Sequence, residues 1–264
     1  MTTFKSTHPT DRKKIVIKLG GSTLEGLNKA FYSNFKDLQQ QGFDIIITHG
    51  GGPAINRELD KHHISSNILN GIRVTSDEAI DVVKSTLIGK VNPGLVSELN
   101  QAGIKAIGLN GFDGLLLESE FLDKETYGFV GKVKKVNTDL LQTLCNNNIV
   151  PVIACIGATN DGQALNINGD TVASEVALAV GAVSLLLVTD VSGIRIEGQY
   201  QKEATPNLID HWIQEGHIYG GMIPKVQGAL QVLNAGVPSV QIVDDHLIGT
   251  TILASYSNGL TPLR

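Results

Sequence analysis

Two short runs rich in β-branched residues, KIVIKL at 14–19 and DIIIT at 44–48, each end in a cluster of glycines, Gly20-Gly21 and Gly50-Gly51-Gly52. A short, nearly continuous apolar run reads as a strand buried on both faces, and strands of that kind alternating with helices demand a mostly parallel sheet covered on both sides. The helices are legible too. Leu27, Phe31, Phe35 and Leu38 recur as one apolar helix face with Gly42 as a stop, and Pro53 stands where a first helical turn tolerates proline.

The alternation continues along the chain. Thr75 and Glu78 have capping-box spacing ahead of the apolar face Ile80, Val83, Leu87. Strands are predicted at 105–109, 149–156, 184–189 and 239–243, and helices at 140–144, 170–180, 208–214 and 222–234. Residues 115–137 break the rhythm and read as a β-hairpin excursion that forms a lid or edge; a second hairpin is predicted around Gly198. No linker or repeat interrupts the chain. The expectation is an α/β three-layer αβα sandwich around a mainly parallel open sheet, one domain with a short tail (1–13) and two lobes, about 14–165 and 166–264.

Composition narrows the partners. The 21 basic and 26 acidic residues leave a net charge of −5, which argues against nucleic acid. The longest apolar run, 176–188, is shorter than the roughly 20 residues of a membrane span, and the N-terminus lacks the apolar core of a secretory signal. With two cysteines in apolar surroundings, Cys145 and Cys155, the expectation is a soluble cytoplasmic protein with reduced thiols and no membrane contact.

The 29 glycines, about 11% against a usual level of roughly 7%, therefore need a local reason. Glycine lets backbone approach an anion, and a helix starting beside it directs unpaired N–H groups there, so phosphate is the expected guest. The common nucleotide signatures are missing: Gly89-Lys90 and Gly131-Lys132 are followed by valine rather than Ser or Thr, and no Gly-x-Gly-x-x-Gly opens a unit. Lys18, inside an apolar strand beside Gly20-Gly21, is either a strand-end lysine reaching solvent or an ammonium at the sheet's carboxyl edge. Asp170 opens a helix in Asn166-Ile167-Asn168-Gly169-Asp170, where an N-cap is the bland alternative. Lys225 follows Gly220-Gly221 by one helical turn and alone would mean little.

Taken in order, Lys18-Leu19-Gly20-Gly21, His49-Gly50-Gly51-Gly52-Pro53, Gly71-Ile72-Arg73-Val74-Thr75, Asn166 to Asp170, Asp190-Val191-Ser192-Gly193 and Gly220-Gly221-Met222 with Lys225 resemble the amino acid kinase family from about residue 14 to 255. Within it the pattern most resembles members that phosphorylate N-acetyl-L-glutamate on the route to arginine. The resemblance implies ATP with Mg²⁺ carried by the nucleotide, no metal held by the protein, and transfer of the γ-phosphoryl group to the side-chain carboxylate. It assigns Lys18 and Lys225 to charge stabilisation and Asp170 to holding both lysines. Gly51, Gly52, Arg73 and Asn166 fall to the acyl substrate, and Gly20, Gly21, Asp190, Gly193 and Met222 to ATP.

A carboxylate nucleophile with a pKa near 4.3 is already ionised at pH 7 and needs no general base. His49 is therefore expected to orient its loop rather than move a proton. Since arginine-inhibited members carry a long N-terminal helix and only thirteen residues precede Lys14, the expectation is a homodimer insensitive to arginine. Two rivals stand beside this reading. One is a kinase of the same fold acting on glutamate, aspartate, carbamate, UMP or a carrier-bound aminoadipate; the other is a silent nucleotide-binding sensor.

Overall fold

The computed structural model describes residues 12–21 and 23–255; the tail up to residue 11, to which the oligomer and arginine expectations were tied, lies outside the described residues. Strand β1 (Lys14–Leu19) is followed by helix α1 (Lys29–Gln40), strand β2 (Asp44–His49), helix α2 (Gly52–Lys61), the hairpin β3 (Ile68–Leu69) and β4 (Ile72–Arg73), and helix α3 (Asp77–Thr86). A π-helical turn, Leu87–Val91, joins α3 to α4 (Asn92–Gln101). Pro93 supplies the cause: it has no N–H to give the Gly89 carbonyl four residues earlier, so the helix widens before it.

The middle of the chain holds β5 (Ala106–Leu109), β6 (Leu117–Phe121), α5 (Lys124–Tyr127), β7 (Gly131–Val136), α6 (Thr138–Asn146), β8 (Val150–Ala154), β9 (Ile156–Ala158), β10 (Ala164–Asn166), α7 (Gly169–Ala179) and β11 (Ser184–Val188). The last part holds the hairpin β12 (Arg195–Ile196) and β13 (Gln199–Tyr200), then β14 (Glu203–Ala204), α8 (Pro206–Gln214), α9 (Met222–Asn234), β15 (Ser239–Val243) and β16 (Gly249–Leu253).

Among the described residues the main sheet has eight strands in the order β14-β16-β15-β11-β1-β2-β8-β5. The pairs from β15 to β5 are all parallel; β16 runs antiparallel to β15 and takes β14 with it. Alternate residues serve two layers. Ile15, Ile17 and Leu19 pack with Phe31 and Phe35 of α1 and Leu95 and Leu99 of α4, while Val16 and Ile46 pack with Val172 and Val176 of α7 and Val226 of α9. That is the expected three-layer sandwich. Because β2 and β11 lie on opposite sides of β1, the chain reverses direction across the sheet at β1, and the loops leaving β1, β2 and β11 meet above its carboxyl edge, where open sheets bind ligands.

Several expectations need correction. No helix starts at Gly20-Gly21: a 3₁₀ turn at Thr23–Glu25 intervenes and α1 begins at Lys29, capped by Asn28. The cap of α3 is Ser76, not Thr75. The single strand expected over 149–156 is two, because the chain leaves the main sheet at Cys155 and enters a second, four-stranded sheet, β10-β9-β6-β7. The 115–137 excursion is the antiparallel β6–β7 pair of that same sheet, and β16 was not anticipated. Among the described residues no helix is long and apolar enough to cross a membrane.

Candidate active site

Period-two alternation puts the Lys18 side chain on the face of β1 covered by α7. There its ammonium lies 3.0 Å from Oδ1 of Asp170 in the first turn of that helix. Asp170 is free to pair because the cap of α7 is Asn168, whose side-chain oxygen accepts from the N–H groups of Asp170 and Thr171. Lys225, in the first turn of α9, forms its ion pair with Asp190 in the loop after β11, and this contact holds the Asp190 carboxyl below the usual carboxylate range. The two lysines thus have separate carboxylates. The expectation that Asp170 holds both is not met in this geometry, because α9 brings Lys225 to the loop after β11 rather than to α7.

A cavity of about 200 Å³ lies beside the first pair, lined by Gly51, Gly52, Arg73, Asn166, Cys155 and Gly169 among others. A Cβ built on Gly169 would sit 3.6 Å from Cε of Lys18 and 3.9 Å from the Gly50 nitrogen, so the lysine, the glycine loop and the cavity adjoin. The four residues assigned to the acyl substrate therefore share one wall system. Gly20 and Gly21 close the other side of the loop. A Cβ on Gly20 would lie 4.0 Å from Nζ of Lys18, and one on Gly21 would strike Pro53 at 2.6 Å.

Arg73 is prepared for a forked contact. Its Nη1 donates to Oγ of Ser66 and its Nη2 to Oδ1 of Asn56, both at 2.6 Å, which leaves further N–H groups of the guanidinium to face a ligand. Its half-burial lowers its pKa, and the residue stays a cation all the same. Asn166 is tied to the same unit through Thr75, which is fully buried: Nδ2 of Asn166 donates to Oγ1 of Thr75 at 3.0 Å, and that hydroxyl donates to the Arg73 carbonyl at 3.0 Å. Thr75, Ser66 and Asn56 were not singled out as site residues. The GIRVT segment carried Thr75 in plain view, but its capping-box spacing disguised it.

His49 is fully buried, and its ring pairs with the Gly50 carbonyl at 2.8 Å through Nδ1 and with Nδ2 of Asn92 at 2.9 Å through Nε2. Burial pushes its pKa down to about 4, so it is neutral at pH 7. Both cysteines are buried free thiols whose pKa burial raises to about 12, which removes them from nucleophilic chemistry.

The remaining residues expected at ATP do not line that cavity. Gly193 has φ +112°, and a Cβ there would meet the backbone nitrogen of Thr250 at 2.8 Å, so its loop is pressed onto β16 in a form that only glycine fits. Met222 lines a more open cavity of about 590 Å³ with Ile194, Arg195, His217 and Tyr219.

Comparison with known proteins fits this geometry. A sequence profile of the "Amino acid kinase family" matches residues 13–244. The chain is 46% identical over 247 residues to the acetylglutamate kinase of Geobacillus kaustophilus, covering 94% of this chain and 93% of that one, and 45% identical over 247 residues to the acetylglutamate kinase of Geobacillus stearothermophilus, with the same coverage. Among solved structures, smu.665 of Streptococcus mutans UA159 superposes with a TM-score of 0.81 at 36% identity, covering 92% of this chain and 99% of that one. With the profile spanning most of the sheet and every glycine loop above it, the chain belongs to the amino acid kinase family.

Proposed function

We propose that the chain is an acetylglutamate kinase, transferring the γ-phosphoryl group of ATP to the side-chain carboxylate of N-acetyl-L-glutamate to give N-acetyl-L-glutamyl 5-phosphate, an early step of arginine biosynthesis. The observation that carries the reading is the single cavity that gathers Arg73, Asn166, Gly51 and Gly52 beside Lys18. The 46% identity to a named acetylglutamate kinase supports the choice of acceptor.

The roles follow from charge and reach. Arg73 takes the α-carboxylate with the N–H groups not used by Ser66 and Asn56, and the Asn166 amide orients the same end of the acceptor. The distal carboxylate, ionised at pH 7, attacks phosphorus; the bond to the β-phosphate oxygen breaks and ADP leaves. Such a reaction asks for alignment and neutralisation rather than proton transfer. Lys18 and Lys225 supply positive charge at the transferring group, Asp170 and Asp190 aim them, and the Gly51 and Gly52 amides donate to its oxygens. Gly20 and Gly21 line the path of the phosphates, Asp190 and Gly193 shape the loop under the nucleotide, and the cavity beside Met222 takes the nucleoside.

The two acidic residues here are each ion-paired to a lysine, a donor set that fits Mg²⁺ carried by the phosphates of ATP rather than by the protein. When bound, the ion offsets phosphate charge. In this proposal residues of about 14–165 carry the acceptor side and those from about 166 onward the nucleotide side, with Asn166 reaching the acceptor from the boundary. A homodimer belongs to it as well, supported by Ile107, exposed on the edge strand β5, and by exposed Phe112 and Leu115 after it; sedimentation velocity tests it. Reduced buried thiols and ATP dependence fit a cytoplasmic site of action.

Trapping the acyl phosphate with hydroxylamine tests the acceptor. N-Acetylglutamate with MgATP should give hydroxamate, whereas a signal from glutamate or aspartate and none from N-acetylglutamate would overturn the assignment.

A further inference from the structure

The loop Gly50-Gly51-Gly52 has glycine's freedom to reorient, yet a phosphoryl-binding loop must present its amides in one direction. The restraint comes from beneath. The Gly50 carbonyl faces Nδ1 of buried His49 at 2.8 Å, and Nε2 of the same ring faces Nδ2 of Asn92 at 2.9 Å. Asn92 is itself buried, and its Nδ2 also faces the Val152 carbonyl of β8 at 2.9 Å, so this nitrogen is a donor and Nε2 an acceptor. That fixes the ring as the neutral Nδ1–H tautomer, donating to Gly50.

A trans peptide points its carbonyl and the next N–H in opposite directions. Holding the Gly50 carbonyl down onto His49 therefore aims the Gly51 N–H away from that ring, and Gly51 itself lines the acceptor cavity. Among the described residues the N–H groups of Gly51 and Gly52 meet no protein acceptor. The π-helical turn before Asn92 braces the loop from another direction: a Cβ on Gly51 would lie 2.6 Å from Cδ2 of Leu87 and 3.3 Å from Cγ2 of Val91. Asn92 has little room to move, since a Cβ on Gly108 would fall 1.9 Å from its Oδ1.

We propose that Asn92 is a positioning residue for phosphoryl transfer, acting through the His49 ring to lock the Gly50–Gly51 peptide so that the Gly51 and Gly52 amides face the transferring group. The proposal rests on the kinase reading above. It makes the π-helical turn functional, because that turn sets the rotation at which α4 delivers Asn92 to His49.

The test pairs variants that cut the relay at different atoms. Asn92→Leu removes the donor; His49→Gln places an amide near Nε2 but none near Nδ1; His49→Asn places its amide near Nδ1 and keeps the donation to Gly50. Gly108→Ala presses on Asn92 from behind and serves if Asn92→Leu fails to fold. Asn92→Leu, His49→Gln and Gly108→Ala should lower kcat about tenfold with KM for either substrate changed less than about threefold, because the lost alignment acts on the transition state. His49→Asn should recover most of kcat.

Glycine-selective ¹⁵N spectra supply a readout that needs no turnover. The Gly51 and Gly52 amide resonances should move in the first three variants and return close to native positions in His49→Asn. Equal kcat in all variants below their unfolding temperatures, or glycine resonances that move in His49→Asn as far as in His49→Gln, would overturn the positioning role. Failure of the native chain to phosphorylate N-acetylglutamate would instead refute the acceptor assignment and leave the spectra to judge the relay.

Discussion

Replacing Arg73 by lysine preserves the charge and destroys the fork, which separates recognition from simple attraction. In the native protein Nη1 and Nη2 are each held at 2.6 Å, by Ser66 and Asn56, so the guanidinium plane is set before any acceptor arrives. A lysine ammonium cannot make those two contacts and also present parallel donors. The loss is one charge-assisted hydrogen bond to the α-carboxylate, worth about 1.5–3 kcal/mol. At 1.4 kcal/mol per tenfold that is about 10- to 150-fold in affinity, and the lower half of that range applies because Arg73 is only half-buried. Arg73→Lys should therefore raise KM for N-acetylglutamate about 10- to 50-fold. Its kcat should change less than about threefold, since the α-carboxylate gains no charge as the distal one reacts. Asn56→Ala, which only loosens the plane, should give a smaller rise of the same kind. Steady-state hydroxamate assays with saturating MgATP read both constants. A fall in kcat at unchanged KM would refute the reasoning and place Arg73 at the transferring group.

Three further outcomes follow from the same geometry. Lys225→Ala should depress kcat about 10²- to 10³-fold while leaving KM for N-acetylglutamate within about threefold; unchanged kcat with raised KM would mean that the lysine serves ground-state binding only. Thr48, fully buried in β2, has a hydroxyl without a hydrogen-bond partner among the described residues, so Thr48→Val should raise the melting temperature by about 2–4 °C, and a fall would show that the hydroxyl is satisfied. His49 is buried neutral with its pKa at about 4, whereas the unfolded chain's histidine takes a proton below about 6.5. The unfolded state then binds more protons between those values, so stability declines as pH falls from 6.5 towards 4. Urea unfolding at pH 7 and 4.5 should show His49 contributing a loss on the order of 2–3 kcal/mol that His49→Asn removes.

The features of the fold and site that are legible in sequence share a cause: they are local. β-branched runs ending in glycines announced β1 and β2 with the sheet's carboxyl edge, and the apolar stripe Phe31, Phe35, Leu38 announced α1. Lys18 stood out because charge inside an apolar strand is rare. What stayed hidden depends on contacts between distant segments. Cys155 lies inside an unbroken apolar run, and only the second sheet reveals that the chain turns there. Ser76 displaced Thr75 from the cap because Thr75 is needed between Arg73 and Asn166, partners 93 residues apart. Lys225 carried no local sign that it would choose Asp190. Asn92 looks like an ordinary residue beside a proline until β2 places His49 under it.

In the proposed function the cavity beside Lys18 selects an acylated amino acid with a free α-carboxylate. Free glutamate retains both carboxylates but adds an ammonium near Arg73, so a direct competition isolates that selection. Incubating the protein with MgATP and equimolar N-acetylglutamate and glutamate, then resolving the two hydroxamates, measures the ratio of their kcat/KM values. A preference for N-acetylglutamate of at least about 10² is expected, the scale reached when a site leaves a cation facing an ammonium instead of a satisfied contact. A ratio near one, or one that favours glutamate, would contradict it.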